Sequence, residues 1–121
     1  MRFTIEQDDD IVIFTLKESR LDGITSPDVK AEILIVSQPD IKALIMDLSN
    51  VEFVDSHGLS ALLLASRQMK EHSAPVAIVG ANEHTQRLLR ISQLDLLFDF
   101  YPTLPEALED YHGDDEEDMH E

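Results

Sequence analysis

The sequence predicts an α/β domain whose mixed β-sheet opens with a β-hairpin and continues with strands alternating with about four helices. Three observations carry this reading. Phe3 and Ile5 alternate with polar neighbours, and the turn signal Asp8-Asp9-Asp10 leads into the β-branched and aromatic run Ile11-Val12-Ile13-Phe14-Thr15-Leu16. Nearly continuous apolar runs over 41–48 and 75–79 have the character of strands buried on both faces. Segments of helical periodicity separate the later runs, and strands joined by such crossovers lie parallel.

The elements follow in chain order. Residues 2–17 form the hairpin. Asp22-Gly23 is a turn pair, after which Thr25 or Ser26 is expected to N-cap a first helix, with Pro27 at its first position and Val29, Ile33 and Val36 on one face. Pro39 and Asp40 break the chain before the central strand at 41–48. Ser49-Asn50 marks a loop and 51–54 a short apolar stretch. The second helix is expected over about 57–71, with Leu59, Leu62, Leu63, Ser66 and Met69 on its inner face. A strand at 75–79 ends at Gly80, a third helix spans 83–91 through Leu88 and Leu89, and 96–100 reads as an edge strand. Pro102 opens a last helix through Leu104, Leu108 and Tyr111. The helices are expected mainly on one side of the sheet. Residues 1–112 thus form one domain, and 113–121 a charged tail with almost nothing to bury, expected to be disordered.

Composition narrows the function classes. The 121 residues suffice for one core, and 43% hydrophobic with 28% charged residues is ordinary for a soluble domain. With no cysteine, disulfides and thiolate metal sites are excluded. Residues 1–10 lack the apolar core of a signal peptide, and no apolar run approaches the ~20 residues that span a bilayer. A cytoplasmic location without membrane insertion is the expectation. The net charge is −16; six of the 25 acids lie in 113–121, and the remaining body still holds 19 acids against nine bases. Such a surface opposes nucleic-acid and anionic-membrane binding, and it either steers basic protein partners toward it or merely keeps the protein soluble.

The informative segment is Asp47-Leu48-Ser49-Asn50-Val51-Glu52-Phe53-Val54-Asp55-Ser56-His57-Gly58-Leu59. It leads from a buried strand through an apolar loop to the start of an amphipathic helix. Asp55 is a good N-cap, and Ser56 falls among the first helical residues, where backbone N–H groups lack helical partners and the dipole end is positive. A phosphate there is tolerated without unfolding the helix. Local chemistry alone reads Asp55-Ser56 first as a cap and Gly58 as a residue permitting close packing.

This segment resembles the signature of the STAS family, a strand followed by Asp-Ser-x-Gly-Leu and a helix. Leu21-Asp22-Gly23-Ile24-Thr25-Ser26-Pro27 is similar to the family's other conserved stretch, the loop before its first helix. The order of elements agrees from Met1 to about Tyr111, which makes the expected fold a single STAS-like domain. Within the family the sequence is most similar to anti-sigma factor antagonists. The resemblance implies that Ser56 is phosphorylated by an anti-sigma factor that is also a serine kinase. The unphosphorylated form binds that partner and frees the sigma factor, and a serine phosphatase resets the phosphorylated form. It further implies a partner surface formed by Asp22, Thr25, Ser26, Asp55, Ser56, His57, Gly58 and Leu59. Many relatives carry a second serine where this chain has His57, so Ser56 is the acceptor here. The alternative within the family is a subunit of a lipid-transport or stress-signalling complex.

Other chemistries are disfavoured. Asp55, Ser56 and His57 are consecutive at a helix start and diverge, so they do not build a catalytic triad, and no Gly-x-Ser-x-Gly elbow is present. A phospho-aspartate receiver needs an acidic cluster beside its acceptor and a lysine on a late strand; the Asp8-Asp9-Asp10 triplet lies in a hairpin turn, and 96–101 contains no lysine. His57, His72, His84, His112 and His120 show no ligand spacing, so neither a metal site nor a cofactor is expected, and no enzymatic activity. The sequence assigns no oligomeric state.

Overall fold

The computed structural model describes residues 1–119, of which 114–119 by their backbone alone. Its main sheet has five strands in the order β1-β2-β4-β6-β7. β1 (Phe3–Asp8) and β2 (Ile11–Leu16) pair antiparallel from Phe3↔Leu16 to Asp8↔Ile11. Asp9 makes the tight turn between them at φ 55°, a left-handed conformation that Asp tolerates better than most residues. β2 then pairs parallel with β4 (Ala43–Asp47), β4 with β6 (Val76–Val79), and β6 with β7 (Asp99–Tyr101). β4 is the central strand, and Ala43 to Met46 are fully buried, as their apolar run predicts.

Alternation along β2 divides the core in two. Val12, Phe14 and Leu16 face α1 (Ser26–Val36), α2 (Ser56–Lys70) and α3 (Glu83–Ile91), packing with Val29, Ile33, Leu62, Met69 and Leu89. Ile11 and Ile13 face the other way, with Ala43, Ile45, Ala77 and Val79, toward Ala107 and Tyr111 of α4 (Leu104–Met119). Three helices therefore cover one face and α4 alone covers the other. Two phenols fix α4: Tyr111 donates to Asp99 Oδ2 at 3.0 Å and Tyr101 to Asp110 Oδ2 at 2.8 Å. Burial first, and then the hydrogen bond to Asp110, pushes the Tyr101 hydroxyl up to about 12; burial and Asp99 push that of Tyr111 upward as well, so both remain donors.

Several local expectations are corrected. The buried stripe of α2 is Gly58, Ala61, Leu62, Ala65, Ser66 and Met69, whereas Leu59 and Leu63 are only half-buried. Small residues form the contact because they let helix backbones approach closely. The strand expected over 96–100 begins only at Asp99; Asp95–Leu97 is a 3-10 turn, and Leu96 is 91% exposed. A short apolar run does not by itself distinguish a strand from an exposed turn. α4 carries Leu104, Leu108 and Tyr111 as expected, and its backbone is helical on to Met119, through Gly113, Asp114 and Asp115, which are poor helix formers. The rest of the expected tail, residues 120 and 121, lies outside the described residues.

Candidate functional site

The two stretches singled out in the sequence meet in a second, two-stranded sheet. β3 (Arg20–Leu21) pairs parallel with β5 (Phe53–Val54). The loop leading into β5 is firmly held. Asp47 Oδ1 accepts the Ser49 amide at 3.0 Å and also the Ser49 hydroxyl, the Leu48 amide donates to the Val79 carbonyl at 2.9 Å, and Leu48 and Val51 are buried. Beyond β5, the Asp55 amide donates to the Leu21 carbonyl at 3.2 Å, which carries the pairing up to the start of α2.

Asp55 is the N-cap of α2 in extended conformation, and its Oδ1 accepts the amides of His57 at 2.8 Å and Gly58 at 3.0 Å. Ser56, the first residue of the helix, is exposed. Asp55 thus caps α2 as expected, engaging the two amides that follow Ser56. The Gly58 amide, followed by that of His57, holds the Asp55 carboxyl below the usual carboxylate range. His57 Nδ1 lies 3.5 Å from Asp55 Oδ2, and the same ring stands against Gly23, where a Cβ would come within 3.4 Å of it. His57 thus touches both stretches.

The loop before α1 is organised by Asp22 rather than by a helix-capping hydroxyl. Asp22 Oδ1 accepts the amides of Ile24 at 3.0 Å and Thr25 at 3.3 Å, and Oδ2 accepts Arg20 Nε at 3.1 Å. These donors, the Ile24 amide foremost, lower the Asp22 pKa. Thr25 occupies the N-cap position but makes no cap bond; its hydroxyl donates to the Arg20 carbonyl at 3.1 Å and accepts the Asp22 amide at 3.0 Å. The Arg20 guanidinium lies 4.3 Å from the centre of the Phe53 ring, and Phe53 stacks on His84 at 5.7 Å, joining the start of α3 to the same surface.

The residues expected to meet a partner divide into three groups. Ser56 and His57 are exposed, and Asp22, Thr25, Asp55 and Leu59 are half-buried. Ser26 and Gly58 are buried and present no side chain outward, which corrects their place in the expected surface. Ile24, passed over in the sequence, is 86% exposed at the tip of the Asp22 loop. An apolar residue inside a turn signal was the available cue.

Gly58 has a structural reason to be glycine. A Cβ there would come within 2.3 Å of the Leu21 carbonyl oxygen and 2.8 Å of Val54 Cγ1. Gly58→Ala is therefore expected to destabilise the protein by about 1–3 kcal/mol despite alanine's better helix propensity, as read by urea denaturation.

Acid should weaken the same region. Asp22 and Asp55 have lowered folded-state pKa values, so each stabilises the fold above the unfolded carboxylate value of about 4, and that contribution disappears as pH falls through the folded value. The melting temperature should drop below about pH 4, and Asp55→Asn should make that drop shallower.

The geometry agrees with what the chain is similar to. The family model described as the STAS domain matches residues 2–107. The anti-sigma-F factor antagonist RsfB of Mycobacterium tuberculosis is 32% identical over 93 residues, covering 77% of this chain and 75% of that protein. A TM1081 homologue from Thermotoga neapolitana is 33% identical over 70 residues, 58% of this chain and 62% of that relative, so the match covers less than two thirds of the relative's length. A crystal structure of an anti-sigma factor antagonist from Mycobacterium paratuberculosis superposes with a TM-score of 0.77 at 29% identity, covering 88% of this chain and 90% of the other. No helix among the described residues is long and apolar enough to cross a membrane. The chain belongs to the STAS domain family, with anti-sigma factor antagonists among its relatives.

Proposed function

We propose that the chain is a cytoplasmic, non-enzymatic anti-sigma factor antagonist that regulates transcription by switching partners. Unphosphorylated, it sequesters an anti-sigma factor that is also a serine kinase. Phosphorylation of Ser56 by that kinase releases it, and a serine phosphatase restores binding.

The observation that carries this reading is the position of Ser56. It is exposed at the first residue of α2, on a surface shared with His57 and the Asp22 loop, so a kinase can reach it without disturbing the core. Asp55 provides the cap, which leaves the Ser56 hydroxyl outside the helix's own capping arrangement. A phosphate adds about −1.5 to −2 charges beside the Asp55 carboxylate. With the His57 and Gly58 amides already engaged, that charge depends on water in the free protein and must lose it inside an interface. Mass spectrometry of the protein isolated from its own cells, combined with capture of its partners, tests the reading. Phosphate on Ser56 together with a co-purifying anti-sigma serine kinase supports it. A protein that carries no phosphate on Ser56 while bound to an unrelated ATPase subunit contradicts it.

A further inference from the structure

Ser56 lies beyond the carboxyl ends of the strands, where α2 begins. At the opposite end of the sheet, three ligating side chains from distant parts of the chain converge. Asp8 ends β1, Asp9 forms the hairpin turn, and His112 arrives on α4, which follows β7 and runs back beneath the sheet. One carboxylate oxygen from each aspartate and one ring nitrogen of His112 all lie within 4.8 Å of one another. His112 Nε2 is 3.3 Å from Asp8 Oδ2, and the His112 side chain is 29% exposed. Asp9 lies beyond the end of β1, in the turn at φ 55°, so the alternation of strand side chains does not separate its carboxylate from that of Asp8.

We propose that Asp8, Asp9 and His112 form a binding site for a divalent transition-metal cation. Nitrogen and oxygen donors sit about 2.0–2.2 Å from zinc, so in a tetrahedral shell two donors lie roughly 3.3–3.6 Å apart. His112 Nε2 and Asp8 Oδ2 already stand 3.3 Å apart, and the exposed Asp9 side chain is free to close to the same spacing. A half-buried imidazole separates this arrangement from a purely acidic patch, since imidazole suits zinc-like ions whereas magnesium and calcium take oxygen shells. The strongly acidic body raises the local cation concentration. A bound ion would tie α4 to the β1–β2 turn, stabilising the docking of the helix without touching the Ser56 surface.

The test is calorimetry and thermal unfolding of the full chain with zinc chloride, with magnesium chloride in parallel. One zinc ion should bind per chain at micromolar concentration and raise the melting temperature, while magnesium at the same concentration does not. His112→Ala and, separately, Asp9→Asn at the exposed turn should each weaken zinc binding by about tenfold or more, and His84→Ala should leave it unchanged. Asp9→Asn decides the matter if His112→Ala fails to fold. Zinc affinity that survives Asp9→Asn, equal effects of zinc and magnesium, or no binding at micromolar zinc overturns the proposal.

Discussion

Ser56→Asp is expected to bind the anti-sigma partner weakly, and authentic phosphoserine to bind about a hundredfold more weakly than the unmodified protein, or roughly 3 kcal/mol. The fold should be unchanged in both. Ser56 touches the helix only at its exposed first residue, and the capping carboxylate belongs to Asp55. The added charge therefore acts at the interface, where it lies beside a second carboxylate and must be dehydrated with few compensating donors. Aspartate copies only part of the charge and shape, so its effect should be the smaller. Ser56→Ala should bind constitutively and stay within about 0.5 kcal/mol of wild-type stability, as expected of an exposed side chain outside any cap. Circular dichroism of each variant, read with its binding isotherm, separates these effects. Loss of helix signal in Ser56→Asp would make the switch a folding event.

The second large effect is expected at Ile24. An apolar side chain that is 86% exposed, at the tip of the loop His57 rests against, has the placement of an interface anchor. Ile24→Asp should reduce partner affinity by roughly 2 kcal/mol, about thirtyfold, with an unchanged melting temperature. Substituting Asp22 is a poorer test. Its carboxylate holds the amides of Ile24 and Thr25 and the Arg20 side chain, so its replacement disturbs the loop and the interface together. Wild-type affinity in Ile24→Asp, measured at physiological salt, would remove the Asp22 loop from the interface.

Much of this architecture is legible in the sequence because it follows from local periodicity and turn chemistry. The hairpin around Asp9, the continuous apolar run of β4 and the span of α3 each depend on a few neighbouring residues. Asp55 as the cap of α2 was readable for the same reason. The features that escaped notice depend on long-range pairing. β3 has only two residues, and nothing local marks Arg20-Leu21 as a strand until Phe53-Val54 lies beside it. The close approach of Gly58 to the Leu21 carbonyl follows from that pairing. Helical periodicity placed Leu59 and Leu63 inside α2 by hydrophobicity, whereas backbone proximity selected Ala61 and Ala65. The convergence of His112 with Asp8 and Asp9 joins the two ends of the chain, which spacing cannot show.

The phosphorylation switch is tested most directly by calorimetric titration of the cognate anti-sigma kinase with two preparations of this protein, unmodified and quantitatively phosphorylated on Ser56. The switch predicts tight binding of the unmodified protein and an affinity about a hundredfold lower for the phosphorylated one, with superimposable circular dichroism spectra. Equal affinity of the two forms would contradict it.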